Sequence, residues 1–376
     1  MATTTDAVTP RTTLAINAGS STVKCALFTF EPAPRPLARE TIEGAGSSCV
    51  PQLLGWVDAH TPDAPPVAIG HRIVHGGSVY RDPHVITKAL VDDLRQMVPF
   101  APNHLPDEIA LIEALGEHRP HVPQFACFDT AFHHDLPDVA RRLPIPAEYD
   151  ARGVRRYGFH GLSYAFLMQE LERLAGPGAA SGKIVLAHLG NGSSLAAVDG
   201  RRSVDTTMAF TPMGGVLMST RSGDLDPGVV TYLARSERLT PDEVEEMLSH
   251  RAGLLGISGS TGDMRTLLDR ETIDPACRLA VAAYAYSVRK AIGALAAVLG
   301  GLDTIVFSGG IGEHAPSVRA RICDGLAFLG VHVDSSRNAS NALLISPPAA
   351  RVDVRVIPTD EELMIARAAC GLFAPG

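Results

Sequence analysis

Two glycine–serine turns suggest the chemistry open to this chain of 376 residues. Asn17-Ala18-Gly19-Ser20-Ser21 runs into Thr22-Val23-Lys24, and His188-Leu189 runs into Gly190-Asn191-Gly192-Ser193-Ser194. Turns of Gly, Asn and Ser expose backbone N–H groups and hydroxyls that can cradle phosphate oxygens. Residues two apart in extended chain share a face, so Lys24 adds a positive charge on the side of Ser20 and Thr22. A third glycine element, Ser308-Gly309-Gly310-Ile311-Gly312-Glu313, follows an apolar run and lets a ligand approach the backbone. It lacks the G-x-G-x-x-G spacing of a dinucleotide fingerprint. One hairpin turn alone reads better as an ordinary turn with a solvated lysine, and the third element alone is plausible as a tight strand-to-helix turn. Two related turns with a third beside them favour a nucleotide.

Anion-binding side chains come next. Arg72 stands in Gly70-His71-Arg72-Ile73-Val74-His75-Gly76-Gly77 and Arg221 in Ser219-Thr220-Arg221-Ser222-Gly223-Asp224. Glycine neighbours leave room for an anion beside each guanidinium, although a lone arginine is more often a solvated surface group. His71 and His75 have H-x-x-x-H spacing, but their segment reads as a strand and no third ligand is evident, so zinc is not expected. Thr359-Asp360-Glu361-Glu362 reads as a capping box with Glu362 at its third helical position. That leaves Glu361 available to a magnesium water shell. Phe128-Asp129-Thr130-Ala131-Phe132-His133 and Tyr157-Gly158-Phe159-His160-Gly161 put polar groups among aromatics and glycines, and their plain reading is satisfied core polar groups.

The elements that position these residues are strands joined to helices. Leu14–Ile16 and Thr22–Phe28, with Val23, Cys25 and Leu27 alternating, form a hairpin. Leu186–Leu189 and Leu195–Val198 form another around the turn Gly190–Ser194. Gly19-Ser20-Ser21 recurs as Gly192-Ser193-Ser194, 173 positions on, which suggests two similar domains each opening on a hairpin. Thr304–Phe307 is a buried-type strand, and a helix is expected from about Ala315 to Phe328. Ala280–Leu299 carries Arg289 and Lys290 and reads as a buried helix, not a membrane span. The class is α/β. Glu31–Leu37 and Thr61–Pro66 are proline-rich and read as surface loops.

Bulk composition agrees. The length suggests two domains, and 45% hydrophobic residues can build a full core. A net charge of −8 argues against a partner such as nucleic acid or an acidic membrane. Met1–Thr13 is Thr-rich without an apolar stretch and reads as a frayed tail, not a signal peptide. The six cysteines are scattered with no C-x-x-C pair, as in a reduced, cytosolic chain.

From about Leu14 to Arg367 the chain resembles the acetate kinase (acetokinase) family, within the superfamily of acetate and sugar kinases, heat-shock chaperones and actin. The resemblance rests on motifs in order: Asn17–Lys24, the Arg72 segment, Ala101–Pro106, Phe128–His133, Gly158–Gly161, His188–Ser194, Phe210 through Arg221 to Pro227, Ser258–Arg265, Phe307–Glu313 and Val356–Arg367. It implies two ribonuclease-H-like, actin-like domains with an active-site cleft: 1–131 with 363–376, and 132–362. It implies ATP at Lys24, at His188, Leu189, Gly190, Asn191 and Gly192, at Asp263, Met264 and Arg265, and at Gly310, Ile311, Gly312, Glu313 and His314. Magnesium, or manganese, is implied near Asn17 and Glu361. The resemblance further implies Arg72 on a carboxylate substrate, with Val74, His104, Phe159 and Pro212 about its methyl group. Asp129 is implied as catalytic acid, and His160 and Arg221 as transition-state stabilisers. A cytoplasmic homodimer is implied.

The implied reaction is transfer of the ATP γ-phosphoryl group to acetate. Two anions about 4 Å apart repel by roughly 4 kcal/mol at an effective dielectric of 20. Arg72, Arg221 and Mg²⁺ would offset that and hold the groups in line. A carboxylic acid is already ionised at neutral pH, so Asp129 is expected to orient Mg²⁺ or an arginine rather than take a proton. This chain departs from the family pattern at Asn103-His104-Leu105, where Leu and Asn have traded places, and at Gly214, Leu162 and Tyr164. A polar Asn103 matches a methyl pocket poorly. The alternatives are a kinase for propionate or another short acid, a chaperone- or actin-type ATPase, and a sugar kinase.

Overall fold

The computed structural model describes residues 11–19 and 22–373. Ser20 and Ser21 of the first turn therefore lie outside the described residues. The chain divides into two compact units, Met1–Ala131 with Asp360–Gly376, and Phe132–Thr359.

The first unit is built on β1 (Thr12–Ala18), β2 (Thr22–Thr29), β3 (Pro36–Glu43), β4 (Ala68–Ile73), β5 (His84–Val85) and β6 (Gln124–Phe128), in spatial order β3-β2-β1-β4-β6-β5. β1 and β2 form the expected hairpin, with Asn17 opposite Lys24. β4 lies parallel to β1, and β6 parallel to β4. Leu14, Ile16, Val23, Cys25 and Leu27 pack with Leu53, Val57, Leu111 and Leu115 from the helices Val50–His60 and Leu105–His118. Glu361–Phe373 is a further helix, and its Ile365 leaves no room for a Cβ at Gly70 of β4. β3 begins at Pro36, so the proline-rich stretch expected as loop to Leu37 ends two residues early. Pro is tolerated there as the first residue of an edge strand.

The second unit repeats the plan. β7 (Lys183–Leu189), β8 (Ser193–Asp199), β9 (Arg202–Thr206), β10 (Thr304–Ser308) and β11 (Asp353–Val356) are ordered β11-β10-β7-β8-β9. β7, β8 and β9 are antiparallel, while β10 pairs parallel to both β7 and β11. Counted within its own unit, each sheet has the order 3-2-1-4-5, and the first adds only the two-residue edge strand β5. This is the duplicated actin-like α/β fold. The helix Pro275–Leu299 covers the second sheet, with Tyr284, Val288 and Ile292 buried against Val185, Ala187, Leu195 and Phe307. Central strands buried on both faces read as continuous apolar runs, as β7 and β10 do.

Three expected local structures differ. The helix placed from Ala315 to Phe328 is instead a helix at Gly309–His314, a second at Pro316–Cys323 and a 3₁₀ turn at Ala327–Leu329. Pro316 starts the second because proline suits a first turn, where its missing N–H has no partner to lose. The turn of the second hairpin is shorter than Gly190–Ser194. Ser193 pairs with Leu189 and Ser194 with His188 inside the ladder. The final helix is capped by Asp360, whose Oδ1 accepts from Leu363 N at 2.9 Å. Thr359 donates instead to Ser163 Oγ at 2.9 Å, so the capping box with Glu362 does not form.

Candidate active site

In the second unit the turn Gly190–Gly192 sits beside the glycine-rich helix Gly309–His314. Gly309 has φ +75, and a Cβ there would lie 2.7 Å from Leu189 O, so only glycine fits. A Cβ on Gly310 would meet nothing within 4 Å, which leaves its backbone open to a ligand. Glu313 Oε1 accepts from Gly309 N at 2.8 Å and Thr359 N at 3.2 Å, tying the helix start to the chain after β11. His314 is exposed at the other end of this helix, while Ile311 and Gly312 are buried against the sheet. Leu189 and Met264 are core residues, so only their backbones can serve a ligand. Asp263 caps the helix Met264–Arg270 and is exposed, as is Arg265. Bonding to Thr266 holds the Asp263 carboxyl below its usual range. Ser219 joins the hairpin turn to the segment before Asp263. It bonds Asn191 through N (3.2 Å) and Oγ (3.3 Å), and its O lies against Gly262.

Around Gly192 two side chains converge. A Cβ there would lie 2.6 Å from Arg221 Nη2 and 3.3 Å from His160 Nε2. Arg221 Nη1 donates to Pro212 O at 2.6 Å. Gly253, at φ +62, lets the backbone come against Arg221 and Met218. His160 is a non-glycine residue in the left-handed region, at φ 59. Its ring stacks on His188 with centroids 4.2 Å apart. Nδ1 of His160 pairs with Ser194 Oγ at 2.8 Å, and Nδ1 of His188 with Ser163 Oγ at 2.8 Å. Tyr164 OH also meets Ser194 at 2.5 Å, and Ser193 Oγ meets Tyr284 OH at 2.8 Å. Both serines are fully buried. They are not phosphate-cradling hydroxyls, as the turn motif suggested, but supports for His160 and the hairpin. His133, also buried, pairs with Ser203 Oγ at 2.7 Å and donates to Phe159 O at 3.1 Å, fixing the strained segment that carries His160.

In the first unit Arg72 and Asp129 form a buried ion pair. Asp129 Oδ2 accepts from Arg72 Nε at 2.9 Å and Nη2 at 2.5 Å, while Nη1 donates to Ala18 O at 3.0 Å. Asp129 thus pairs directly with an arginine and is not only a satisfied core polar group. Burial alone would lower the Arg72 pKa, but Asp129, Glu361 and Glu108 raise it. Asn17 Nδ2 donates to Glu361 at 2.8 Å and Glu362 at 3.0 Å. Burial pushes the Glu361 carboxyl up, against the pull of Arg72. Lys24 stands exposed opposite Asn17. Among the described residues no group of three or more His, Cys, Asp or Glu could hold a metal ion. Asn17 and the glutamates are hard oxygen donors of the kind magnesium takes, usually keeping several of its waters.

Val74 is buried just past β4, and His104 is half-buried at the start of the helix Leu105–His118. Phe159 and Pro212 belong to the second unit, the first buried and the second half-buried. The exchange around His104 resolves as burial: Leu105 is in the core and Asn103 is exposed on the turn. His71 is likewise structural, with Nε2 at 2.7 Å from Gln124 Oε1, and burial lowers its pKa to about 4.

Two residues escaped sequence reasoning. Glu108 is 3% exposed, and both its oxygens accept from Val74 N, at 3.2 and 3.1 Å. Its signal was there to find: in Leu105-Pro106-Asp107-Glu108-Ile109, it lies three residues after Leu105 and so on the apolar face. Arg319 is 0% exposed and donates to Gly312 O, Glu313 O, Asn338 O, Asn338 Oδ1 and Asn341 Oδ1. It clamps the last turn of the Gly309–His314 helix. Its signal is of the same kind: it lies three and four residues before Ile322 and Cys323, on the buried face of the helix Pro316–Cys323.

Residues 57–367 match the model of the acetokinase family. The chain is 47% identical over 317 residues to an acetate kinase of Rhodopseudomonas palustris, covering 84% of this chain and 79% of that one. Its fold matches the crystal structure of Porphyromonas gingivalis acetate kinase with a TM-score of 0.85 at 31% identity, covering 97% of this chain and 100% of that one. It matches a propionate kinase from Francisella tularensis with a TM-score of 0.88 at 31% identity, covering 95% and 98%. With two 3-2-1-4-5 sheets, the glycine turns beside Arg221 and His160, and the Arg72–Asp129 pair, this chain belongs to the acetokinase family.

Proposed function

We propose that this protein is an acetate kinase, transferring the γ-phosphoryl group of ATP to acetate to give acetyl phosphate and ADP, reversibly. The observation that carries the reading is the convergence of Arg221 and His160 on Gly192 in the open glycine turn. Such an arrangement suits a phosphoryl group in transfer, whose charge spreads over its equatorial oxygens and is stabilised by fixed donors. An acetate oxygen attacks the γ-phosphorus, the bond from γ-phosphorus to the bridging oxygen breaks, and that oxygen's electrons leave with ADP. Acetate arrives ionised, so no base is needed.

In this reading His188–Gly192, Asp263–Arg265 and Gly310–His314, with Lys24, bind the nucleotide. Arg221 and His160 stabilise the transferring group. Ser194 and His133 hold His160 in place. Arg72, held by Asp129, takes the acetate carboxylate, and Val74 and His104 of the same unit meet its methyl group. Asn17 and Glu361 would hold Mg²⁺ (or Mn²⁺) through its water shell, and the ion when bound neutralises the charge of the β- and γ-phosphates. We place the protein in the cytoplasm, since all six cysteines are free and buried. A homodimer is part of the proposal. Leu279 and Tyr286, 60% and 63% exposed and two helical turns apart, are apolar surface that a second copy would cover.

Acid-dependent ATP turnover with acetate, propionate and butyrate tests the reading. The expected result is turnover with acetate, abolished by Arg221→Ala. ATP hydrolysis indifferent to any short acid would overturn it, and a strong preference for propionate would move the assignment to the longer acid. Sedimentation of the purified chain checks the dimer.

A further inference from the structure

The mechanism leaves one buried acid unused. Glu108 sits in the first turn of the helix Leu105–His118, with only the N–H of Val74 bonded to its side chain. Val74 is two residues beyond Arg72, just past the end of β4, and belongs to the expected acyl pocket. A buried carboxyl with one backbone donor is costly to ionise unless its charge is paired. The charged groups that bear on it are Arg72 from β4, Asp129 after β6 and Asp107 from its own helix.

We propose that Glu108 is a positioning residue for the carboxylate substrate: its side chain fixes the Val74 backbone, and so the strand end that presents Arg72, and its charge state sets how strongly Arg72 draws an anion. The proposal rests on the carboxylate-kinase reading above. Burial pushes the Glu108 carboxyl up to about 8, against the opposing pull of Arg72 and the Val74 N–H. At neutral pH the carboxyl is therefore largely uncharged, and Asp129 is the direct counter-ion of Arg72. As pH rises through about 8, Glu108 ionises and adds a second negative charge beside the guanidinium. An incoming acetate is then repelled, while a nucleotide bound on the other unit's turns is not the group Arg72 receives. The KM for acetate should rise as pH climbs, with kcat and the KM for ATP changing less.

The test is the KM for acetate and for ATP between pH 6.5 and 9.5, in the full chain and in Glu108→Gln. Gln keeps the shape and an acceptor for Val74 N but cannot ionise. The expected result is a rise of about threefold or more in the parent's acetate KM, as one added like charge nearby would give, and a flat profile in the variant. An equal rise in both proteins, or a flat profile in the parent, overturns the inference. The parent's profile decides the matter alone if the variant does not fold. Absence of any acetate-dependent turnover in the parent would instead strike the activity reading, which separates the two failures.

Discussion

Replacing Gly192 by Ala puts a methyl group where Arg221 and His160 meet. The backbone at Gly192 is not left-handed, so alanine is allowed there. The added Cβ would lie 2.6 Å from Arg221 Nη2, whereas ordinary contact begins at 3.4 Å. The guanidinium must therefore retreat by about 0.8 Å, the difference of those distances. Arg221 is the flexible partner, so the fold yields at this side chain first. Its bond to Pro212 O at 2.6 Å must stretch or re-form. A displacement of about 1 Å in a transition-state group costs roughly 10²-fold in rate, or about 2.7 kcal/mol. Stability should change little, since Gly→Ala at a compatible site gains about 0.4–1 kcal/mol from the unfolded chain. The assay is kcat for acetate-dependent ADP release, with thermal melting and ADP affinity by calorimetry as controls. The expected pattern is a fall of about 10²-fold in kcat with Tm and ADP affinity near those of the parent. A kcat within about threefold of the parent would refute the placement of Arg221 on the transferring group. A fall in kcat matched by lost ADP affinity would refute it too, because the methyl would then be blocking nucleotide rather than moving a catalytic side chain.

Arg319→Met leaves five buried acceptors without their donor, at about 1–3 kcal/mol for each one that stays unpaired. Denaturant unfolding should show a loss of at least about 4 kcal/mol, among the largest for a single substitution. Asp129→Asn removes the counter-charge from a buried arginine, which costs about 3–5 kcal/mol; the melting temperature should fall and the KM for acetate rise, and near-normal values of both would show that Asp129 does not orient Arg72. Gly293→Ala, in the interior of the helix Pro275–Leu299 with nothing within 4 Å of the new Cβ, should stabilise by about 0.5–1 kcal/mol. Glu108 makes stability pH-dependent with a definite sign. Its folded pKa of about 8 lies above the ordinary glutamate value of 4.5, so its contribution is full below about pH 4.5 and lost as pH rises through about 8. Glu108→Gln should accordingly lose less stability than the parent between pH 5 and 9 in denaturant titrations.

What could be read from the sequence followed from local rules, and what could not required a tertiary partner. The two hairpins were legible because alternation and glycine turns are properties of a few adjacent residues. Their repetition also carried the duplicated fold. The end of the chain was less legible, since Thr359 and Asp360 are both good caps and local sequence does not choose between them. Ser163 chose, by taking the Thr359 hydroxyl and leaving the cap to Asp360. Gly309–His314 looked like a loop because glycine disfavours helix. It is helical because Glu313, a side chain from its own next turn, accepts from Gly309 N and ties that start to Thr359. Ser193 and Ser194 looked like ligand groups, and are buried in a strand because Tyr284 and His160 satisfy them there. Glu108 and Arg319 are the same lesson in charged form. A charge on an apolar face is a contradiction in the sequence, and its resolution lies on other elements: Val74 and Arg72 for the one, the carbonyls of Gly312 and Glu313 for the other. Both sit one contact behind residues proposed to bind the ligands. Local contradictions of that kind therefore mark the supports of a site as readily as the site, and in this chain they point to the groups whose removal should alter affinity and pH dependence before it alters the chemistry.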